Sequence, residues 1–294
     1  MNSRVTDNLA TVMLWAGALL VLLLLGLLMG HILIKGIGVI DFHFLVTPPS
    51  SLKAGGGIGP QIFNSFYMLF WAMLLTVPVG LLAGIYLAEY ATQGPITNLI
   101  RLCIETLSSL PSIVVGLFGL LVFVNMTGWG YSLMSGALAL AVVNLPLMVR
   151  VSEEAIRSVS AELSEASLAL GSTHWQTIWK VIVPSALPGL ITGGIIAAGR
   201  VFGEAAALLY TSGMDSPILD FTDLRPWSHL SPLNPFRPAE TLAVHIWKVN
   251  SESLIPDVAR ISSGSAAVLV LVVLMFNITA RWLASYVHRR MTAS

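Results

Sequence analysis

The stretch that decides the fold is EEAIRSVSAELSEASLALGSTHWQTIWKVIVPSALPGL, residues 153–190. Apolar residues recur at helical spacing on both sides of Gly171, and glycine is the usual residue where a helix ends and the chain turns sharply. We therefore predict a short helix, a tight turn at Gly171 and a second short amphipathic helix. Pro184 and Pro188 are predicted to end that second helix, because proline lacks the N–H that a helix interior needs.

The second predicted helix carries an aromatic face that includes His174, Trp175 and Trp179. An amphipathic helix of this kind commonly lies on a membrane surface. It can equally present its aromatic face to a partner. Periodicity alone leaves both interpretations open.

The composition around this insert is typical of a membrane protein. The chain has 294 residues, of which 55% are hydrophobic and 10% charged, with a mean hydropathy of +0.82. Soluble domains carry about 25% charged residues, so this chain could not cover a water-facing surface with polar groups. Its net charge of zero gives no indication of nucleic-acid binding, and its single cysteine, Cys103, cannot form an internal disulfide.

Apolar segments long enough to cross a bilayer, which takes about 20 residues, occur six times in the sequence. We predict an all-α membrane protein of one domain, with a cytoplasmic insert at 153–184 and an extracytoplasmic loop at 213–262. Pro78, Pro111 and Pro146 are predicted to kink three of the spans. The predicted spans are about 11–34, 62–90, 104–124, 131–151, 186–211 and 265–286.

Basic residues predict the orientation of the spans. Short connections and the C-terminal tail on one side of the membrane carry Arg101, Arg150, Arg157, Lys180, Arg281, Arg289 and Arg290. Because short cytoplasmic segments are enriched in Lys and Arg, we expect both termini to be cytoplasmic.

Residues 165–184 resemble the EAA signature of ABC importer permeases, which reads EAA, three residues, Gly, nine residues and I-x-L-P. The glutamate, first alanine, glycine and proline of the signature stand at Glu165, Ala166, Gly171 and Pro184. Serine replaces the second alanine, and valine replaces both the isoleucine and the leucine. These changes conserve size.

The resemblance implies that this insert is a coupling helix that docks in a groove of a separate ATP-binding subunit. The residues expected at that contact are Glu165, Ala166, Gly171, His174, Trp175 and Pro184. The sequence has no GxxxxGK[ST] motif, so ATP and Mg²⁺ would be bound by the partner. We expect this chain to bind no cofactor and to be a transport subunit, not an enzyme.

Several further stretches, in their order and spacing, resemble the PstA-type subunit of phosphate-specific ABC transporter permeases. They are GGGIGPQIFNSFYMLF (55–70), VPVGLLAGIYLAEYA (77–91), LPSIVVGLFGL (110–120), ASLALGSTHWQTIWKVIVPSALPGLITGGI (166–195), GRVFGEAAALLYT (199–211) and TLAVHIWKV (241–249). This resemblance implies the type I ABC importer permease fold in a bacterial or archaeal plasma membrane. It also implies a PstC-type second permease as partner, two copies of an ATP-binding subunit and an extracytoplasmic phosphate-binding protein, with no nucleic acid involved.

The fifth predicted span contains AAGRVFGEAA, residues 197–206. On a helix, Arg200 and Glu204 would lie on one face and could pair, although each charge at mid-membrane depth costs about 2.5–3.5 kcal/mol. Either the two form a structural ion pair, or they face a central cavity and handle the transported anion, whose oxygens the planar guanidinium fits. Gly199 and Gly203 are expected to pack against another helix, in this subunit or in the partner permease.

Two further residues are weaker candidates for the substrate pathway. Asn144 lies beside Pro146, and Ser112 follows Pro111, where its hydroxyl could bind phosphate or, more simply, a freed carbonyl. His245 is interpreted as an interfacial residue and not as a ligand. The alternatives for the whole chain are a permease for another oxyanion, such as sulfate or molybdate, and a membrane-embedded enzyme, for which the sequence offers no nucleophile or metal constellation.

Overall fold

The structure is a computed structural model that describes residues 3–50, 54–228, 230–252 and 256–292, with side chains described only between residues 7 and 286. The regular elements within those ranges are all helices. In chain order they are α1 (Ser3–Ile37), α2 (Phe42–Val46), α3 (Gly59–Ile85), α4 (Pro95–Ser109), α5 (Ser112–Gly119), α6 (Leu133–Arg157), α7 (Ala161–Ala169), α8 (His174–Thr177), α9 (Val183–Gly203), α10 (Ala206–Leu209), α11 (Leu242–Ser251) and α12 (Val258–Thr292). Short π-helical segments follow α3, α5 and α8, at Tyr86–Tyr90, Leu120–Met126 and Ile178–Ile182.

Within the described ranges, five helical segments are long and apolar enough to cross a membrane. They are Asp7–Ile37, Gly59–Tyr90, Leu133–Arg157, His174–Gly203 and Val258–Tyr286. A sixth span is possible if the bent pair Pro95–Ser109 and Ser112–Met126 crosses as one unit. The chain is therefore an all-α membrane protein of five or six spans.

The third predicted span, about 104–124, is not one continuous helix. It is divided between α4 and the segment that begins at Ser112, and the two meet at an angle of 98°. Pro111 accounts for the break, because a proline disfavours helical geometry in the residue before it. Leu110 is accordingly extended, with φ −67° and ψ 134°. The prediction of a mere kink at Pro111 was wrong, whereas Pro78 and Pro146 do lie inside continuous helices.

The fifth span also differs from the prediction, at both of its ends. Helical structure runs from His174 to Gly203 without interruption, so Pro184 and Pro188 do not end the amphipathic helix. Pro184 is the second residue of α9, one residue after the π-helical segment Ile178–Ile182, whose wider turn relieves the usual clash between a proline ring and the carbonyl four residues earlier. The aromatic part of the insert is therefore the beginning of the same rod that crosses the membrane, and that rod ends at Gly203 instead of about 211.

The bundle is built around the contact between α3 and α6. Buried side chains from these helices and from α9 and α10 form one core, which includes Met68, Leu140, Phe202 and Leu208. Glycines on α3 allow the close approach. A Cβ at Gly80 would lie 2.6 Å from Cγ of Met148, which no real pair of carbon atoms tolerates.

The same contact supports a prediction for Gly84 on α3. An added Cβ would overlap Cβ of Ser152 and lie 2.8 Å from the backbone N of Glu153. We expect Gly84→Ala to lower the free energy of unfolding by about 1–3 kcal/mol, because a packed backbone must move to admit the methyl group. Thermal unfolding of the purified protein measures this. Gly94→Ala is the control, because nothing lies within 4 Å of its Cβ position, and equal melting temperatures for the two variants would contradict the prediction.

The bundle has two distinct ends, which α3 connects. At one end, the π-helical continuation of α3 contacts the α7–α8 hairpin (residues 161–177), where Glu89 lies 3.3 Å from His174. At the other end, α3 begins beside α2 and α11, and a second apolar cluster forms there around Phe44, Ile58 and Leu242. We call these the hairpin end and the loop end.

Candidate functional site

The candidate substrate site is the point where α9 ends. Arg200 lies in the last turn of α9, its side chain is exposed, and it makes no ion pair or hydrogen bond with any residue that the structure describes. Glu204 follows the helix with an extended backbone, φ −78° and ψ 121°. Its Oε1 accepts a hydrogen bond from the backbone N–H of Ala207 at 3.4 Å.

The expectation that Arg200 and Glu204 lie on one face of a helix is therefore wrong, and the structural ion pair, one of the two interpretations left open, does not form. Glu204 is not part of the helix, because α9 ends at Gly203 and the carboxylate binds a backbone N–H in the first turn of α10 instead. Glycine is a weak helix former, and side chains that hydrogen-bond nearby backbone compete with helix continuation. The result is an arginine with free donors beside a carboxylate that is already engaged.

Ser112 begins the helix that packs beside this break. A Cβ at Gly116, one turn after Ser112, would stand 2.8 Å from Cα of Ala207. The start of α5 thus follows the 98° bend and leads directly to the segment after Glu204. Half-helices that begin inside a membrane direct the positive ends of their dipoles toward anions in transporters. Ser112 is half-buried at this start.

Asn144 lies inside the bundle and is 1% exposed. Its Nδ2 donates to the carbonyl of Leu140 at 3.0 Å, while its Oδ1 is buried with no hydrogen-bond partner among the described residues. No hydrogen bond connects it to the break after α9 within the described part of the chain. It remains the weaker candidate for the pathway.

The two glycines that flank Arg200 behave differently. A Cβ at Gly199 would lie 3.8 Å from Nδ2 of Asn277, so this glycine faces α12 at ordinary contact distance. No described atom lies within 4 Å of the Cβ position of Gly203. Within this chain, therefore, Gly203 packs against no described helix, and its expected contact remains a prediction for a partner.

The hairpin at the opposite end is held in shape by local contacts. Gly171 has a φ of 86°, the left-handed region that glycine adopts without strain. Thr173 and Gln176 form a capping box at the start of α8. The hydroxyls of Ser167 and Thr177 lie 2.9 Å apart and connect α7 to the end of α8.

The outer surface of this hairpin is apolar and exposed. Leu170 is 88% and Trp175 56% exposed, and Glu165 and Ala166 are exposed on α7. His174 also contacts its own chain, because Nε2 lies 3.3 Å from Oε2 of Glu89 and its ring packs on Tyr90. It thus anchors the hairpin to its own chain.

Pro184, a further residue of the predicted contact surface, does not lie on the exposed hairpin. It is half-buried in the first turn of α9, beyond the π-helical segment and away from the exposed hairpin surface. It therefore belongs to the rod behind the hairpin.

A buried polar network at the loop end was not foreseen from the sequence. Arg237 is 1% exposed, and its Nη2 donates to Oδ1 of Asn64 at 2.8 Å and to the carbonyl of Pro232 at 3.1 Å. Burial lowers the pKa of Arg237 to about 10, so it stays charged at neutral pH. Asn64 Nδ2 in turn donates to the carbonyl of Glu240 at 3.0 Å. The only signal in the sequence was an asparagine within an apolar span together with charges in a proline-rich loop.

A helical membrane bundle that carries an exposed helix–turn–helix at one end and a free arginine at a helix break defines a multi-pass transport permease. The family description "binding-protein-dependent transport system inner membrane component" matches residues 80–293. The chain belongs to this family and is a type I ABC importer permease, a transport subunit and not an enzyme.

Relatives and solved structures agree with this assignment. A probable ABC transporter permease, YqgI, of Bacillus subtilis is 55% identical over 294 residues, 100% of both chains. The phosphate transport system permease PstA of Yersinia pestis is 32% identical over 84% of this chain and 78% of its own, and PstA of Xylella fastidiosa (strain 9a5c) is 39% identical over 61% of each. A solved bacterial alginate ABC transporter in complex with an alginate-bound periplasmic protein has a similar fold, with TM-score 0.67, 17% identity and 96% of each chain covered.

Proposed function

We propose that this chain is the PstA-type permease subunit of an ATP-driven importer of inorganic phosphate and forms half of its translocation pathway. The observation that carries the proposal is the free guanidinium of Arg200 at the end of α9, without a partner among the described residues. A charged side chain on a membrane-spanning helix is expensive unless it is paired or serves a polar cargo. The phosphate transport permeases among the relatives support phosphate as that cargo.

Because Arg200 and Glu204 do not pair with each other, both side chains can bind phosphate. The arginine donates parallel charge-assisted hydrogen bonds to two oxygens of phosphate. Glu204, which is only half-buried and accepts one backbone N–H, can also accept the hydroxyl of a protonated phosphate. This carboxylate weakens the hold on the anion and favours its protonated form, which allows release. In this proposal Ser112, at the start of α5, adds a hydroxyl to the pathway.

Uptake of labelled phosphate in the presence of competing oxyanions tests the cargo. We expect arsenate, a close analogue of phosphate, to compete, and sulfate and molybdate to leave uptake unchanged. A site that uses a carboxylate to accept a proton selects against anions that are fully deprotonated at neutral pH. Uptake of sulfate or molybdate without phosphate uptake would assign the chain to another oxyanion.

The proposed machine contains a PstC-type second permease, two copies of an ATP-binding subunit that bind ATP and Mg²⁺, and an extracytoplasmic phosphate-binding protein. We propose that the hairpin end, with Arg101, Arg150 and Arg157 beside it, lies in the cytoplasm together with both termini. The exposed apolar surface at Leu170 and Trp175 supports docking of the ATP-binding subunit there. Because α8 continues into α9, movement of the hairpin would be transmitted directly to Arg200.

The proposed docking surface yields a prediction for Trp175. We expect Trp175→Ala to weaken binding of the ATP-binding subunit by about 2 kcal/mol, roughly 30-fold, because exposed tryptophans that become buried in an interface dominate its energy. Co-purification and a binding titration measure this. Trp227→Ala is the matched control, because Trp227 is 78% exposed in the loop that follows α10. Equal binding by the two variants would contradict the assigned surface.

A further inference from the structure

A cavity of about 570 Å³ opens at the loop end of the bundle. Three parts of the chain form its walls: the segment before α3, the segment after α10, and α11. Gly56 and Gly57 line the first wall and Ser216 the second. Its volume is within the range of roughly 300–1,000 Å³ that is usual for ligand pockets.

The floor of this cavity contains two buried titratable side chains. Glu240 is 1% and His245 4% exposed, and Nδ1 of His245 lies 3.1 Å from Oε1 of Glu240. Gln61 Nε2 donates to the other oxygen of Glu240 at 2.7 Å. An ionised carboxylate can only accept, so the neutral imidazole carries its proton on Nδ1. Nε2 of His245 is then an acceptor, and it is buried without a hydrogen-bond partner among the described residues.

The charges that line the cavity are predominantly negative. Among the described residues of the lining, three carboxylates, those of Asp215, Glu240 and Glu252, share the space with one ammonium group, that of Lys248. Lys248 Nζ pairs with Asp215 and lies 3.9 Å from Oε1 of Glu240. The described lining therefore carries a net negative charge, which disfavours an anion as the occupant.

The remaining candidates are cations that donate hydrogen bonds. In the described part of the chain, no group of three or more His, Cys, Asp or Glu residues is arranged to hold a metal ion. The cavity is also too large for a bare ion. An alkylguanidinium or alkylammonium group fits better, because it brings both the donor that Nε2 of His245 lacks and the charge that the carboxylates require.

We infer that this cavity receives the cationic end of an arginine or lysine side chain from the external substrate-delivery protein when that protein docks on the loop end. The donor hydrogen-bonds Nε2 of His245, and Glu252 and Asp215 at the rim attract the charge. Asp215 is 88% exposed, so its field reaches solvent and steers an approaching basic residue. The choice of docking protein rests on the proposed function, whereas the cationic chemistry rests on the cavity alone.

The chemistry is tested on the purified full chain in lipid nanodiscs, labelled with ¹⁵N-histidine. The probe is N-acetyl-arginine methylamide, and its neutral isostere, N-acetyl-citrulline methylamide, is the control. We expect the arginine probe to shift the Nε2 resonance of His245 with a dissociation constant on the order of 1–10 mM, and the citrulline probe to leave it unmoved. Equal shifts with both probes, or no shift with either, would overturn the inference.

Two matched variants sharpen this measurement. Glu252→Gln removes a lining carboxylate and should weaken probe binding roughly threefold to tenfold. Asp220→Asn removes an exposed carboxylate of the same loop that does not line the cavity, and should have no effect. Lys53 lies outside the described residues. If the probe binds the Lys53→Gln variant but not the unmodified chain, the chain's own lysine is the occupant and the inference is wrong.

The identity of the docking protein is tested in the assembled transporter. Glu252→Lys should raise the concentration of delivery protein that gives half-maximal ATPase stimulation by about tenfold or more, while Asp220→Asn leaves it unchanged. If Glu252→Lys leaves the half-maximal concentration of delivery protein unchanged, that protein is not the partner that docks on the cavity. A positive probe shift in a chain that supports no phosphate uptake would count against the proposed cargo and not against the cavity.

Discussion

Replacement of Arg200 by glutamine should lower phosphate uptake by roughly 10- to 100-fold, because it removes a charged hydrogen-bond donor worth about 1.5–3 kcal/mol to the bound anion. The glutamine side chain keeps one N–H donor and most of the length, but it loses the charge and the fork geometry. Arg200→Lys should retain part of the activity, since it keeps the charge as a single point without the bidentate geometry. Initial rates of uptake into cells or proteoliposomes measure both effects.

The controls for Arg200 must show that assembly is intact. The side chain is exposed and makes no hydrogen bond or ion pair with described residues, so the variants should assemble with their partners in normal amounts. Arg281→Gln serves as the matched control, because Arg281 is an exposed arginine on α12, and its uptake should equal that of the unmodified chain. Normal uptake by assembled Arg200→Gln would remove this residue from the pathway.

Replacement of Arg237 by methionine should lower the melting temperature by about 10 °C or more, which corresponds to about 3–5 kcal/mol for the loss of one partner of a buried charged network. Methionine fills much of the volume, but Oδ1 of Asn64 and the carbonyls of Pro232 and Pro238 lose their donor. Buried acceptors without donors are expensive in a region that water does not reach. Thermal unfolding of the purified chain, followed by loss of the monodisperse species, measures the effect.

An exposed arginine in the same loop is the control for the Arg237 variant. Arg225 lies in the same loop, is 71% exposed and pairs with Asp223 at 2.9 Å. Its hydrogen bond lowers the pKa of Asp223 to about 2, yet the arginine itself is on the surface, so Arg225→Met should leave the melting temperature nearly unchanged. Equal losses of stability in the two variants would mean that burial of Arg237 contributes nothing.

Sequence reasoning was most reliable where a local rule decides the structure. The positive φ of Gly171 follows from the chemistry of one residue, and so does the turn that it allows. It was least reliable where a local rule was overridden by neighbouring structure. Pro184 was predicted to end a helix, but the adjacent π-helical segment accommodates it. Glu204 was expected to lie on a helix face with Arg200, but it follows the end of α9 and its side chain binds the backbone of Ala207.

The sequence by itself determined that this chain is an all-helical membrane protein with a helix–turn–helix insert, because hydropathy, glycine and proline act over short distances along the chain. The permease class came from the resemblance of that insert to the EAA signature. Only the tertiary structure decided which polar groups are paired. It separated Arg200 from Glu204, turned His174 toward Glu89, and buried Arg237 and His245 at the loop end. Hydrogen-bond partners such as Asn64 and Arg237 are far apart in sequence, and no periodicity along the chain predicts which polar groups will bind each other.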